Sequence, residues 1–340
     1  MTIRHSQGSY EVLCLPLRQI AAHLPRDSRI ISDENTWRLF GDLFSGIPAH
    51  PVKAGESSKC LQTFSDCLSW LARSGASRKT SVVALGGGVV GDLTGFVASA
   101  YMRGVPFIQI PTTLLAQVDS SVGGKVGVDL PEGKNMAGAF YPPSAVYVAT
   151  DALESLPKRQ FLSGLAEVIK YGFIMDAGLL SQLDDAPNLS DSSFLAEIVT
   201  SCIRLKAEVV EEDEREVSGR RAILNFGHTV GHAIEKITGY DPILHGEAIS
   251  VGMVAEAILG ERIGMTEPGT ARNVSDTLSR HGLPTADSNL RRVDEMIEAM
   301  RSDKKATEGR LAFSLLTTVG TCKLVQDVQD ADVRAVLMDL

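Results

Sequence analysis

The chain has 340 residues, of which 44% are hydrophobic and 22% are charged, proportions that suit folded domains and exclude a mainly disordered chain. At about 100–200 residues per domain, this length predicts two domains. The net charge is −9, and because an acidic surface repels phosphate backbones, nucleic acid is not an expected partner.

Strands and helices alternate through the first half of the chain. Predicted strands cover 29–33, 51–54, 81–85, 107–110 and 145–148, and predicted helices cover 37–44 and 60–72. Such alternation predicts an α/β fold with a parallel sheet, whose ligands lie at the carboxyl ends of the strands.

Helical spacing dominates the second half. Predicted helices cover 159–172, 194–216, 228–237, 248–263, 271–281 and 293–301, with a loop at 184–193 and a β pair at 311–316 and 322–325. The change of pattern near Pro157 predicts two domains, 1–157 and 158–340.

The location of the protein is predicted from what the sequence lacks. Its apolar runs are shorter than the roughly 20 residues of a membrane-spanning helix. The N-terminus shows no apolar signal segment. The five cysteines form no C-x-x-C pair, which suits a reducing compartment. We therefore expect a cytoplasmic protein without a membrane partner.

A glycine turn follows the predicted strand 81–85. Gly86, Gly88 and Gly91 fit G-x-G-x-x-G, in which bare backbone and a helix N-terminus accept a pyrophosphate. A plain tight turn explains these glycines equally well. Asp33 ends an earlier strand, where Asp is also common for turn reasons. Taken with Glu56 and Lys59, the pattern indicates a dinucleotide.

Two lysines follow glycines in a second dense region, at residues 111–135. Lys125 comes after Gly124, and Lys134, beside Asn135, comes after Gly133. Lysines in such places stabilise phosphate or a carbanion-like transition state. A solvated surface lysine is the alternative for each one alone.

Glu167 and Lys170 share one face of a predicted helix, three residues apart. An exposed ion pair would contribute only about 0.5 kcal/mol. Their neighbours in sequence are apolar, so the pair is expected to face a cleft.

Three histidines, His228, His232 and His245, lie close together in the sequence. The first two share a helical face, as a divalent metal requires, and His245 or Glu247 would complete the site. Core or capping histidines are the alternative. Nitrogen and carboxylate ligands suit zinc, cobalt, manganese or iron.

Further cationic positions occur at Lys206, at Arg220 and Arg221 ahead of Asn225, and at Lys305. Each alone is most often part of a solvated face.

Nine sequence blocks resemble those of the 3-dehydroquinate synthase family, within the sugar phosphate cyclase superfamily. The resemblance extends from Asp33 to Gly320. The blocks are GGGVVGDLTGF, YMRGV, IPTTLLAQVDSSVGGKVGVD, GKNMAGAFY, SGLAEVIKYG, RLKAEVV, ILNFGHTVGHAIE, LHGEAISVGM and DKK.

The resemblance implies an N-terminal Rossmann-like domain that binds NAD and a mainly helical C-terminal domain for metal and substrate. It implies zinc or cobalt held by Glu167, His228 and His245, with His232 facing substrate. The implied NAD residues are Asp33, Asn35, Glu56, Lys59, Gly87, Gly88, Asp92, Thr112, Thr113, Asp119, Ser120, Lys125 and Lys134.

The resemblance also implies a homodimer in which Arg103 reaches the neighbouring subunit's site. The implied substrate residues are Lys125, Lys134, Asn135, Lys170, Lys206, Arg221, Asn225, His232 and Lys305. Gln160 departs from the family pattern, which has an acid at this position near the nicotinamide.

The implied reaction converts 3-deoxy-D-arabino-heptulosonate 7-phosphate to 3-dehydroquinate and phosphate, the second step of the shikimate pathway. Another sugar phosphate cyclase, acting on an amino analogue or on sedoheptulose 7-phosphate, is the main alternative. A metal-dependent alcohol or glycerol dehydrogenase, and a silent NAD- or metal-binding protein, are more distant alternatives.

Overall fold

The structure is a computed structural model, and it describes residues 1–186, 188–189, 191–240, 242–301 and 311–340. The chain divides into two compact units, Met1–Pro157 with Ser190–Arg215, and Lys158–Leu189 with Glu216–Leu340. One division therefore falls after Pro157. The predicted second domain, 158–340, differs from the second unit at residues 190–215, which group with the first.

The strands and helices are numbered along the chain. The strands are β1 Thr2–His5, β2 Gly8–Cys14, β3 Ser28–Asp33, β4 Ala49–Val52, β5 Ser81–Gly86, β6 Phe107–Pro111, β7 Lys125–Leu130, β8 Gly133–Phe140, β9 Ala145–Val148, β10 Leu311–Thr318 and β11 Thr321–Val328. The α-helices are α1 Leu17–His23, α2 Glu34–Phe40, α3 Leu61–Arg73, α4 Gly88–Ala100, α5 Lys158–Ile174, α6 Ala177–Asp185, α7 Ser192–Glu212, α8 His228–Thr238, α9 His245–Arg262, α10 Thr270–Arg280, α11 Val293–Arg301 and α12 Asp330–Asp339.

A seven-stranded sheet in the order β1-β2-β9-β6-β5-β3-β4 forms the centre of the first unit. Its neighbouring strands run parallel except for β1 and β2. Every residue of β5 and β6 is buried, as expected when both faces of a parallel sheet are covered. Ile31 and Val82 pack into one apolar cluster, while Ile30 and Val83 pack into another. Alternate residues therefore serve opposite faces of the sheet.

Helix α7 packs against β1 in the first unit. Glu211 and Glu214, at and just after its C-terminal end, accept hydrogen bonds from the backbone amides of Arg4 and Ser6, at 2.7 Å each. These contacts explain why the segment that carries Lys206 belongs to the first unit.

The second unit is mainly helical, with the antiparallel pair β10–β11 beside the helices. Helices α8 and α9 approach each other closely through glycines. A Cβ on Gly252 would lie 1.9 Å from the carbonyl oxygen of Gly227, and one on Gly231 would lie 3.1 Å from the Cα of Ile249. Only glycine fits Gly252, and this close packing lays the start of α8 against Ile249 and Met253 of α9.

The predicted α/β fold is confirmed, and the predicted strand 145–148 and helix 293–301 match β9 and α11 at both ends. Three other predictions need correction. The predicted helix 37–44 is α2 followed by a 3₁₀ turn at Gly41–Phe44. The helix predicted to reach residue 216 ends at Glu212. The predicted loop 184–193 overlaps the end of α6 and the start of α7.

Several elements were not predicted from the sequence: the hairpins β1–β2 and β7–β8, and helices α1, α6 and α12. Within the described part of the chain, no helix is both long and apolar enough to cross a membrane.

Candidate active site

Glu167 and two histidines of the second unit bring their ligand atoms together. Glu167 lies in α5, His228 is the first residue of α8, and His245 is the first residue of α9. The Nε2 atoms of His228 and His245 each lie 3.3 Å from Oε1 of Glu167. One ligand atom from each of the three residues lies within 4.8 Å of the others. The sequence separates Glu167 from the histidines by about sixty residues or more. The start of α9 packs against α5, where the amide of Gly246 donates to Oγ of Ser163 at 2.9 Å, and this contact brings His245 to Glu167.

The other ring nitrogen of each histidine, Nδ1, faces a hydrogen-bond acceptor. Nδ1 of His228 is 3.2 Å from the carbonyl oxygen of Phe226, and Nδ1 of His245 is 3.4 Å from Oε2 of Glu235. With hydrogen on Nδ1, both rings present an Nε2 lone pair beside a carboxylate. Two imidazole nitrogens and one carboxylate oxygen are the donor set of a catalytic zinc-type site with an open position. The residues present therefore fit a divalent metal.

Lys170 forms an ion pair with Glu167, and the side-chain exposures are 2% and 1%. The pair is therefore buried, and the exposed ion pair considered from the sequence is excluded. Burial opposes ionisation of Glu167, but Lys170 and the two histidines hold the pKa of its carboxyl well below its ordinary value. Glu167 is accordingly ionised and ready to bind a cation.

The pKa values of the two histidines are shifted in opposite directions. Burial and the nearby Lys170 lower the pKa of His228 to about 3, so its ring is neutral. Burial also disfavours charge on His245, but Glu235 and Glu167 outweigh it and raise its pKa to about 10, so without a metal the ring carries a proton on each nitrogen, and a bound cation would replace the one on Nε2. The carboxylates on both sides of His245 thus create a strongly cation-attracting position.

His232 and Glu247 are not part of this ligand set. The His232 ring centroid lies 5.3 Å from that of His228, and His232 instead groups with Glu235 and His245. Glu247 accepts a hydrogen bond of 2.7 Å from Nε of Arg159. The interpretation in which His228 and His232 are paired ligands therefore does not match the geometry. Of the two residues offered to complete the site, His245 joins the ligand set and Glu247 does not.

The glycine turn lies between β5 and α4 in the first unit. A Cβ on Gly87 would lie 3.0 Å from Thr113, and one on Gly88 would lie 3.1 Å from Oγ of Ser120. The amide of Thr112 donates to the carbonyl of Gly86 at 2.9 Å. Gly87 is the N-cap of α4, and in the part of the chain that the structure describes no side chain caps this helix start. The turn therefore fits a pyrophosphate, which favours exposed amides at a helix N-terminus.

Lys59 forms the centre of a polar network beside this turn. Its Nζ lies 2.6 Å from Oδ2 of Asp92 and 2.5 Å from Oδ1 of Asn135. Burial would lower the pKa of Lys59, but Asp92 and Glu56 raise it. Burial raises the pKa of Asp92, and Lys59 only partly offsets that effect. Lys59 is buried and Asp92 is mostly buried, and Lys59 links α4 to the β7–β8 hairpin through Asp92 and Asn135.

The tip of that hairpin is also held by carboxylates. The amide of Asn135, which has φ of 55°, donates to Oδ1 of Asp129 at 2.7 Å. Nζ of Lys134 lies 3.6 Å from Oε1 of Glu56. Lys134 and Asn135 thus lie close to two residues implied for NAD, Glu56 and Lys59.

Asp33 caps α2, as the turn explanation predicts. Its Oδ1 accepts from the amides of Asn35 and Thr36, at 2.9 and 3.0 Å. A capping carboxylate at the end of β3 remains close to where a ligand of a parallel sheet lies.

The other implied residues divide between the two units. In the first, Lys206 in α7 binds Asp119, with Nζ 2.9 Å from Oδ1, and Lys125 begins β7 with an exposed side chain. In the second, Arg221 is 4% exposed and its Nε lies 3.6 Å from Oε1 of Glu216.

Asn225 lies in the same 3₁₀ segment as Arg221. Arg103 lies in the first unit, in a turn after α4 with φ of 69°. Lys305 lies outside the described residues.

Two carboxylates of the site were missed by the sequence reasoning. Glu235 is 3% exposed and Glu256 is fully buried. Glu256 accepts from the amides of Gly227 and Val230, at 2.7 and 3.1 Å, and so fixes the start of α8. An acidic residue one turn after His232 was the available signal for Glu235.

Comparison with known proteins identifies the family. Residues 49–163 match the family described as 3-dehydroquinate synthase N-terminal, and residues 164–306 match 3-dehydroquinate synthase C-terminal. The 3-dehydroquinate synthase of Caldanaerobacter subterraneus subsp. tengcongensis is 46% identical over 321 residues, 91% of this chain and 89% of that protein. That of Desulforamulus reducens is 48% identical over 291 residues, 84% of this chain and 80% of that protein.

Solved structures show the same fold. A 2-deoxy-scyllo-inosose synthase complexed with carbaglucose-6-phosphate, NAD⁺ and Co²⁺ has a TM-score of 0.85 at 27% identity, covering 100% of this chain and 99% of that one. A 2-epi-5-epi-valiolone synthase from Streptomyces hygroscopicus subsp. jinggangensis 5008, with NAD⁺ and Zn²⁺ bound, has a TM-score of 0.88 at 25% identity, covering 99% and 98%.

A probable glycerol dehydrogenase from Sinorhizobium meliloti 1021 is only 14% identical, with a TM-score of 0.67 over 97% of this chain and 96% of that one, and so shares the fold alone. Three findings agree: the family matches over residues 49–306, the sequence identities to 3-dehydroquinate synthases, and the convergence of Glu167, His228 and His245. The chain belongs to the 3-dehydroquinate synthase family.

Proposed function

We propose that this protein is an enzyme that converts 3-deoxy-D-arabino-heptulosonate 7-phosphate to 3-dehydroquinate and phosphate, the second step of the shikimate pathway. The observation that carries the proposal is the convergence of Glu167, His228 and His245, in a chain 46% identical over 91% of its length to a 3-dehydroquinate synthase.

The proposed cofactors are NAD and Zn²⁺ or Co²⁺, as in the two related cyclases. Glu167, His228 and His245 would hold the metal, which when bound lowers the pKa of the substrate hydroxyls and orients them. The chemistry that NAD supplies is a temporary removal of hydride from C5, which acidifies the neighbouring C6 proton and is later reversed.

Residues of the first unit are proposed to hold NAD. The backbone amides of the glycine turn donate to the pyrophosphate at the start of α4, and the carboxylates at strand ends accept hydrogen bonds from the ribose hydroxyls. The residues assigned to this role are Asp33, Asn35, Glu56, Lys59, Gly87, Gly88, Asp92, Thr112, Thr113, Asp119, Ser120, Lys125 and Lys134.

Cationic and amide side chains are proposed to hold the substrate in one reactive pose, which lowers the entropic cost of the reaction. They bind its phosphate and carboxylate, and the substrate's own phosphate serves as the base for the C6 proton. The residues assigned to this role are Lys125, Lys134, Asn135, Lys170, Lys206, Arg221, Asn225, His232 and Lys305.

The substrate carboxylate separates this reaction from that of a sedoheptulose 7-phosphate cyclase. Arg221 is buried, and a buried guanidinium suits a carboxylate. Purified protein with NAD and Co²⁺ is therefore expected to release phosphate from the heptulosonate phosphate and not from sedoheptulose 7-phosphate. Release from sedoheptulose 7-phosphate alone would move the protein to the other class of cyclase.

Arg221→Ala is expected to lower kcat/KM for the heptulosonate phosphate roughly 10–100-fold, the loss of one charged hydrogen-bonding group. Arg220→Ala is the matched control, because Arg220 is the adjacent but exposed arginine. Equal kinetics for Arg221→Ala and wild type would remove the assigned role. An amino analogue of the substrate keeps the carboxylate, so the Arg221 variant does not separate the two substrates. The rates of turnover of the heptulosonate phosphate and the amino analogue, offered together to the wild-type protein, make that comparison.

We further propose a cytoplasmic homodimer in which Arg103 serves the neighbouring subunit's site. Arg103 is exposed, in a turn where Met102 and Arg103 both have positive φ. Co-expressed Arg103→Ala and Glu167→Gln chains are expected to be more active than either variant alone, because one site of each mixed dimer carries neither change. Activity no higher than that of the separate variants would contradict a shared site.

A further inference from the structure

Glu235 is a buried carboxylate beside the proposed metal ligands to which the reaction gives no role. It lies in α8 with 3% of its surface exposed, and Oε2 is 3.4 Å from Nδ1 of His245. We propose that Glu235 is a positioning residue, which accepts a hydrogen bond from Nδ1 of His245 and so aims Nε2 at the metal. The inference rests on the proposed metal site.

The geometry of His245 supports this role. Its two ring nitrogens face opposite carboxylates, since Nε2 lies 3.3 Å from Oε1 of Glu167 while Nδ1 faces Glu235. A ring with hydrogen on Nδ1 donates to Glu235 and leaves its Nε2 lone pair for a cation. Carboxylates on the far side of a ligating histidine fix the tautomer and orientation of the ring in this way.

His228 has an equivalent arrangement with a different acceptor. Its Nδ1 lies 3.2 Å from the carbonyl oxygen of Phe226, two residues earlier in the chain. His228 is therefore oriented by local backbone, whereas His245 is oriented by a side chain from another helix. A substitution can remove the acceptor of His245 but not that of His228.

A second metal position is the competing explanation, because His232, Glu235 and His245 also place ligand atoms within 4.8 Å of one another. Both sets would share His245. An ion on Nδ1 together with one on Nε2 would require the ring to lose both hydrogens. With one ion on Nε2, the ring keeps its Nδ1 hydrogen and satisfies the buried Glu235 carboxylate with a hydrogen bond, so the structure favours one ion per chain.

The test measures metal binding to the metal-free full chain. Glu235→Ala is expected to weaken Co²⁺ and Zn²⁺ binding about 10–100-fold, the usual effect of losing such a partner, with one ion per chain retained. Glu235→Gln keeps an oxygen that accepts from Nδ1 and is expected to lose much less. The visible spectrum of bound Co²⁺ should change in Glu235→Ala, because the ring is free to rotate. Lys236→Ala, at the exposed next position, is the matched control.

Three outcomes would overturn the inference: unchanged affinity in Glu235→Ala, equal losses in the Ala and Gln variants, or wild type with two ions of which Glu235→Ala keeps one. If Glu235→Ala does not fold, Glu235→Gln alone is the test: affinity close to wild type with an unchanged Co²⁺ spectrum is expected, and a tenfold or larger loss of affinity or an altered spectrum would contradict the inference. A wild-type chain that binds no metal would instead refute the metal site of the proposed function.

Discussion

Replacing Glu167 by Gln is expected to abolish stable metal binding and to lower turnover about 10³-fold, the effect of losing several kcal/mol of metal-derived stabilisation. Oε1 of Glu167 lies 3.3 Å from Nε2 of both His228 and His245. An amide keeps the shape but removes the charge that a divalent cation needs in a buried position. The metal content of the purified variant, by mass spectrometry, is the direct measurement.

Glu247→Gln is the matched control for that variant. Glu247 lies in the first turn of the helix that begins at His245, but it pairs with Arg159 rather than with the ligand set. It is expected to keep its metal, and circular dichroism of both variants checks their folding. A Glu167→Gln chain that holds as much metal as wild type would show that the ligand assignment is wrong.

Replacing Lys59 by Met is expected to lower the free energy of unfolding by about 3 kcal/mol, because it leaves a mostly buried carboxylate without its cation. The side chains of Lys59 and Asp92 are 6% and 22% exposed, and their charged atoms lie 2.6 Å apart. Denaturant unfolding without NAD measures the loss. Asp92→Asn in the Lys59→Met background removes the stranded carboxylate and is expected to recover much of the stability.

The pH dependence of this loss has a defined sign. Burial raises the pKa of Asp92 even in wild type, and removing Lys59 raises it further. The folded Lys59→Met chain therefore binds a proton that the unfolded chain releases, and its stability falls as pH rises above the ordinary pKa of Asp. The stability difference from wild type should be larger at pH 8 than at pH 5. A loss that is independent of pH would mean that Asp92 is not stranded.

Most of the predictions made from the residues themselves rest on patterns among residues that are close together in the chain. The run from strand β5 through Gly86–Gly88 into α4 has a local signature, since a buried strand, a glycine turn and a helix follow one another directly. The three histidines are also close in sequence, so the sequence predicts a metal site in this region.

The pairings of the site depend on distant contacts that no local pattern contains. The sequence does not show that Lys59 meets Asp92, or that Glu235 of α8 faces His245 of α9. The sequence also does not show that the segment carrying Lys206 belongs to the first unit. That placement depends on hydrogen bonds from β1 and the turn after it to the C-terminal end of α7 and the residues that follow. Choosing Glu167 and His245 over His232 and Glu247 required family resemblance.

Product analysis of the wild-type reaction tests the central claim most directly. The reaction of purified protein with NAD, Co²⁺ and the heptulosonate phosphate is monitored simultaneously for released phosphate, for NADH absorbance and for product by NMR. We predict equal amounts of phosphate and 3-dehydroquinate with no accumulation of NADH, because the hydride returns in each cycle. NADH that builds up without phosphate would make the protein a dehydrogenase and contradict the account.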